Sequence, residues 1–223
     1  MLVRFIQRIA NSSVQDSLAS EMRRRRFEIF RAHFDRLPKP VSILDVGGTM
    51  RFWQVMKLLP GDGLSITLLN VAPVPESRDG FISVEGDARS MPEFGDAQFD
   101  IVFSNSVIEH VGSFAQQGRM ASEIQRIGRS YFVQTPNRYF PMEPHALFPG
   151  FQFLPLGLRV WMVRRFSMGW IGRIPDYEKA YARVASIELL SRRRLKRLFP
   201  DAEIRDERFA GLTKSFMVLG RWV

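Results

Sequence analysis

Residues Ser42–Trp53 read SILDVGGTMRFW. A short apolar run ends in Asp45, then Gly47, Gly48 and Thr49 form a small-residue turn, and a segment of helical spacing over Phe52–Leu59 follows. A buried strand that runs through such a turn into a helix opens an alternating β/α unit. Glycines there let the backbone approach a ligand closely. The start of the next helix adds partial positive charge. A dinucleotide site would want G-x-G-x-x-G. Here those positions hold Gly47, Thr49 and Phe52, a poor match.

Outward from this turn the alternation continues. LSITLLNV (64–71), FISVEGD (81–87), FDIVFSNS (99–106) and SYFVQTP (130–136) read as further strands. Residues 116–128 read as a helix with Met120, Ile124 and Ile127 inward, and a helix from Ser186 to Phe199 precedes two late strands, AEIRDERF and SFMVLGRWV. Strands alternating with helices predict a doubly wound, Rossmann-like α/β sheet with helices on both faces. Only AGLTK joins the two late strands, too short for a crossover helix, so the last strand is expected to run antiparallel. Upstream, LVRFIQRI (2–9) has the spacing of a short basic amphipathic helix. Residues 14–37 read as a second helix, stopped by Pro38 and Pro40. The expected organisation is an N-terminal helical extension over 1–40 and one domain over 41–223, with 140–185 as a lid or substrate insertion.

Composition narrows the chemistry. The 223 residues contain no cysteine, which removes disulfides, thiolate zinc sites and cysteine nucleophiles. No metal site is assigned from the sequence. A formal charge of +9 favours an acidic partner without choosing one. The longest apolar region, Phe151–Ile171, is interrupted by Pro155, Arg159, Arg164 and Arg165, so no membrane span is expected.

Four motifs in order carry a family resemblance. ILDVGGTMR is similar to the D-x-G-x-G-x-G segment of class I S-adenosylmethionine-dependent methyltransferases of the type 11 group, with Thr49 and Arg51 in place of the later glycines. EGDARSMP, FDIVFSNSVIEHV and SYFVQTPN resemble the segments after their third strand, at the end of their fourth and along their fifth. The resemblance implies S-adenosylmethionine as cofactor. It implies that Asp45 organises the turn, that Gly47 and Gly48 pass beneath the cofactor, and that Asp87 accepts from the adenine amine beside Ala88. Ser104 and Asn105 are expected to flank the sulfonium. At the end of the second strand, where the family has an acidic residue for the ribose hydroxyls, this chain has Asn70. A neutral amide can accept one hydrogen bond there but lacks the charge.

There are three histidines. His33 is read as structural and His110 as shaping the loop after the fourth strand. His145, with Glu143 two residues before it, is the candidate base, because a neutral imidazole held by a carboxylate takes protons at neutral pH. Arg138 and Tyr139 are candidate substrate contacts. The chain lacks the N/D-P-P-Y/F signature of amino-methylating enzymes at its fourth strand, where it reads FSNSV. The aromatic and arginine-rich insertion and the basic N-terminus suit an apolar or lipid-linked acceptor, including a saccharide. Peripheral membrane contact is expected through 1–12 and 148–171, in a cytoplasmic protein. Nucleic acid is not the expected partner. The alternative is a non-catalytic relative that keeps the fold as a binding module.

Overall fold

A computed structural model of the chain describes residues 17–61, 63–72 and 80–222. The amphipathic segment 2–9 lies outside them.

Seven strands form one sheet: β1 (Val41–Val46), β2 (Leu64–Asn70), β3 (Phe81–Glu85), β4 (Phe99–Asn105), β5 (Gly128–Pro136), β8 (Glu203–Phe209) and β9 (Leu212–Gly220). Their order is β3-β2-β1-β4-β5-β9-β8. The first five run parallel, and β9 enters antiparallel between β5 and β8. This is the doubly wound, mostly parallel sheet with an antiparallel last strand that the alternation predicts. Ala210 and Gly211, both at positive φ, close the β8–β9 hairpin in two residues. Strand order reverses between β1 and β4, and ligands of open α/β sheets bind at such a switch point.

Helices cover both faces. On one side α1 (Leu18–Phe34) and α2 (Met50–Met56) bury Phe27, Phe30, Phe34 and Trp53 against Ile43, Ile66, Phe103 and Phe132. Phe30 meets Phe103 at 5.0 Å and Phe132 at 5.7 Å, both edge to face. Burying one such ring contributes about 1.5–3 kcal/mol. α1 therefore belongs to the core of the sheet domain, and a buried Arg26–Glu207 ion pair at 2.7 Å ties it to β8. On the other side α3 (Phe114–Ile127) and α6 (Arg192–Leu198) bring Met120, Ile124 and Leu195 onto Leu44, Val102 and Tyr131.

Element ends differ from the sequence expectation for local reasons. α1 begins after Ser17, whose side chain accepts from Ser20 N–H. α2 begins two residues early because Thr49 caps it, accepting from Phe52 N–H, and ends where Lys57 turns left-handed. The helix predicted from Ser186 starts only at Arg192. Glu188 N–H donates to the Glu109 carbonyl, Leu190 bridges to Asn137, and Ser191 then caps α6.

The insertion after β5 holds the small β6–β7 ladder (Met142–Glu143 and Phe148–Pro149) and two packed helices, α4 (Leu156–Arg165) and α5 (Tyr177–Ala185). Phe151, Val160, Val163, Met168, Ala180 and Val184 give it a core of its own. Among the described residues no helix is long and apolar enough to cross a membrane.

Candidate active site

At the end of β1 the Asp45 side chain is buried and accepts from Trp53 Nε1 at 2.7 Å. Burial pushes its carboxyl up to about 7, and the Trp53 bond partly offsets this. The carboxylate lies directly beneath Gly48, where a Cβ would sit 1.7 Å from Asp45 Oδ2. Gly47 has φ +75° and donates its N–H to the Leu69 carbonyl; a Cβ there would press on Val107 at 2.6 Å. Both glycines are thus dictated by close approach, and Asp45 holds the turn from below. Thr49 is used as a helix cap in place of a further glycine.

Above this turn opens a cleft of about 290 Å³, lined by Gly47, Asn70, Asp87 and Ala88, with Leu69, Val107 and Val111 as apolar walls. That is at the small end of ligand pockets. The Asn70 amide donates to the Gly48 carbonyl at 3.0 Å, so this side chain braces the turn as well as facing the cleft. Asp87 is half exposed and chelated by Arg89, with Nη2–Oδ2 2.5 Å and Nε–Oδ1 2.9 Å. The guanidinium holds its carboxyl below the usual carboxylate range. Arg89 N–H also donates to Oδ1 at 2.9 Å, and Nε is shared with Oδ2 at 3.0 Å. Arg89 thus takes the carboxylate's about four acceptor positions, and a ligand N–H has to share or displace one of them.

Ser104 and Asn105 close β4. Ser104 is fully buried, and its hydroxyl donates to the Val46 carbonyl at 3.4 Å; it supports the end of β1 from within the sheet. Asn105 pairs in register with Gln134, and the cleft wall at this point is formed by Val107 and His110. Alternation along β4 turns a side chain inward at every second position. The loop after the strand therefore lines the cleft, and the motif at the strand's end does not.

A second cavity, about 270 Å³, lies between the end of β5 and the insertion. Phe151, Leu156, Ile171 and Leu189 supply apolar surface, and Arg138, Glu143, Gln152, Arg159 and Glu188 supply polar groups. Arg159 Nε and Gln152 Oε1 are buried without a hydrogen-bond partner among the described residues. Tyr139 is exposed and stacks on Phe153, 6.3 Å between centroids; Arg138 is the member of that pair that lines the cavity.

Glu143 is buried and anchors the turn that follows it. Its carboxylate accepts from His145 N–H at 2.9 Å, from Ala146 N–H, and from His145 Nδ1 at 2.7 Å. His145 Nε2 in turn faces His110 Nε2 at 3.1 Å. Glu143 lines the second cavity and His110 lines the first, so this chain of contacts joins the two. His110, read from sequence as a loop residue, is half-buried, and burial lowers its imidazole to about 4. Glu109 beside it is fully buried, accepts from Thr135 Oγ1 at 3.0 Å, and is pushed up to about 7 by burial. Sequence reasoning missed both partnerships. The signal was the adjacent pair Glu109–His110 in VIEHV, but only the fold shows that His145 meets it. His33 lies away from the site, against Trp222.

Comparison with known proteins fits this geometry. Residues 62–131 match a sequence profile described as a methyltransferase domain. An uncharacterised protein of Mycobacterium tuberculosis is 28% identical over 210 residues, covering 82% of this chain and 70% of that one. Among solved structures, the 1,6-didemethyltoxoflavin-N1-methyltransferase of Burkholderia thailandensis, bound to 1,6-didemethyltoxoflavin and S-adenosylhomocysteine, aligns with a TM-score of 0.52 at 14% identity, over 89% of this chain and 76% of that one. An O-methyltransferase family protein from the same organism aligns with a TM-score of 0.50 at 11% identity, over 84% and 51%. At these identities the structural likeness is one of fold.

Proposed function

We propose that this chain, a class I S-adenosylmethionine-dependent methyltransferase, methylates a hydroxyl oxygen of a saccharide-like acceptor, either small or carried on a lipid. One observation carries the proposal: Glu143, His145 and His110 form a contact chain from the second cavity to the cofactor cleft. When bound, the cofactor supplies a methyl group already activated as a sulfonium. The protein has to hold it, orient the acceptor, exclude water and receive a proton.

Gly47, Gly48, Asn70, Asp87 and Ala88 are the residues that would hold the cofactor. The cleft fits it in chemistry: two glycines with no room for a Cβ, the Asp87 carboxylate at its wall, and apolar walls for a purine. Glu143 accepts from His145 Nδ1, which fixes the tautomer whose Nε2 carries the lone pair. That lone pair meets His110 Nε2 at 3.1 Å, and it becomes the proton acceptor once the acceptor hydroxyl takes the place of His110 beside it. In the second cavity the unpartnered Arg159 Nε offers a donor and Gln152 Oε1 an acceptor, while Phe151 and Leu189 offer apolar surface. A sugar presents that mixture, with hydroxyls at its rim and C–H faces between them. The insertion also exposes Phe153, Leu158, Trp161, Phe166 and Trp170 near Arg164 and Arg165, a composition suited to a lipid interface. This supports delivery of the acceptor from a membrane surface.

The test is methyl transfer to a panel of hydroxylated saccharides, free and lipid-linked, alongside calorimetric titration with S-adenosylhomocysteine. His145→Ala and Glu143→Ala are expected to lower turnover by roughly 10²–10⁴ while S-adenosylhomocysteine affinity stays within about twofold. Wild-type turnover in His145→Ala, or methylation confined to amines, overturns the proposal.

A further inference from the structure

The cluster joining the two cavities has more than a proton chain requires. Glu109, His110 and His145 each bring one oxygen or nitrogen within 4.8 Å of the other two. The two imidazoles meet Nε2 to Nε2 at 3.1 Å with their rings nearly perpendicular, 83°. A cation held tetrahedrally by two imidazoles at about 2.0–2.1 Å sets their nitrogens about 3.3–3.4 Å apart. The rings therefore already stand within a few tenths of an ångström of a chelating pair.

Two independent features point the same way. Glu109 is fully buried, and its Oε1 has no hydrogen-bond partner among the described residues, while Oε2 accepts from Thr135. A buried acceptor left unpaired is costly, and a bound cation would supply the missing partner. His145 gives its other ring nitrogen to Glu143 at 2.7 Å, the carboxylate–imidazole pairing that orients metal-ligating histidines.

We propose that the Glu109 carboxylate with Nε2 of His110 and of His145 binds one divalent transition-metal cation, of the zinc or iron(II) class, leaving a coordination position for an oxygen of the acceptor. Two imidazoles and one carboxylate form a donor set that such metals take, with room for a further ligand. Both Nε2 atoms are then committed to the cation, which would hold the acceptor oxygen and lower its pKa so that the hydroxyl proton leaves to solvent on coordination, in place of transfer to His145. That role rests on the proposed O-methylation; the binding itself does not.

The experiment uses the full chain, stripped with a chelator, then titrated with Zn²⁺ by calorimetry and with Co²⁺ by visible absorption. One equivalent of each is expected, with a Co²⁺ spectrum of nitrogen-ligated, low-coordinate type. His110→Ala and His145→Ala should each lower affinity at least tenfold and remove that spectrum. Glu143→Gln should weaken binding about ten- to a hundredfold through His145. Glu109→Gln, which keeps an acceptor for Thr135, should weaken it while the metal-free melting temperature is retained. No stoichiometric binding by the wild type, binding that survives the double histidine variant, or Mg²⁺ binding as tight as Zn²⁺ overturns the site. Metal binding without methylation of any hydroxyl overturns the proposed acceptor chemistry alone. Hydroxyl methylation by a chain that binds no metal does the reverse.

Discussion

The cleft proposed for the cofactor and the cavity proposed for the acceptor lie at the same end of one sheet and are built in opposite ways. In the cleft, the polar contacts that brace the turn and its carboxylates are short in sequence, although Val107 and His110 close its far wall. Asp45 holds Trp53 eight residues on, Arg89 holds Asp87 two residues back, and Asn70 reaches Gly48 over 22. In the acceptor half, His110 meets His145 across 35 residues, and Gln117 fixes the Glu188 carbonyl across 71. One site is written into a turn and the residues after it. The other exists only once the insertion has folded over the sheet. A substitution in the turn should therefore damage binding and stability together, and one in the acceptor cluster should damage chemistry while sparing the cofactor.

Gly48→Ala is the strongest way to break that contrast. The new Cβ would lie 1.7 Å from Asp45 Oδ2. Moving the carboxylate breaks its bond to Trp53 and leaves two buried polar groups short of partners, at roughly 1–3 kcal/mol each. Against a total stability of about 5–15 kcal/mol this is a large fraction. S-adenosylhomocysteine binding is expected to fall below detection by calorimetry, with a clear drop in melting temperature. Gly157→Ala in α4, where nothing lies within 4 Å of the added Cβ, is the control; helix propensity should leave stability equal or up to about 1 kcal/mol higher. A Gly48→Ala chain that binds and melts like the wild type would mean that the turn is not the rigid floor described above.

What was legible in the sequence follows the same division. The strand–turn–helix at Ser42–Trp53, the strand alternation and the short connection before the last strand predict the sheet and its antiparallel last strand, because each is a local pattern. The role of Thr49 was also local, but a cap and a degenerate glycine look alike until the helix start is seen. The inward turn of Ser104 was not legible, because the end of a strand does not say which face its side chain takes when the loop beyond it folds back. The helix expected from Ser186 failed at 186–191, where tertiary partners, Glu109 and Asn137, take the backbone out of helix. Glu143 and His145 were visible as a pair two residues apart. Their link to Glu109 and His110 was not, since no spacing rule connects the loop after β4 to the insertion.

Asp45 offers a test by pH, of intermediate size. Its carboxyl is raised from 3.8 to about 7 in the folded chain, chiefly by burial. The folded state thus holds this proton more tightly than the unfolded one. The associated stability is complete below pH about 4 and is lost as pH rises through about 7. Asp45→Asn keeps an oxygen to accept from Trp53 and removes the titration. Its stability in urea at pH 5 to 8 should fall less steeply with pH than the wild type's, with the variant gaining most at pH 8. A wild-type slope retained in the variant would assign the effect to another buried acid, Glu109 being the first to examine because burial raises it in the same direction.

The smallest effect is expected at Asn70, and its sign separates two accounts of the cleft. If the position served only the ribose, Asn70→Asp would restore a charged acceptor and tighten binding. The amide nitrogen, however, donates to the Gly48 carbonyl at 3.0 Å. Aspartate has no donor to replace it and would set a negative oxygen against a carbonyl oxygen on the turn that carries the cofactor. Losing one neutral hydrogen bond costs about 1 kcal/mol, and the repulsion works in the same direction. S-adenosylhomocysteine affinity is therefore expected to fall by about fivefold, with a small loss of melting temperature, and Asn70→Ser should weaken it by less because no charge is introduced. Tighter binding by Asn70→Asp would show that the turn tolerates the loss of its brace. The cleft would then be less dependent on local contacts than its contrast with the acceptor half implies.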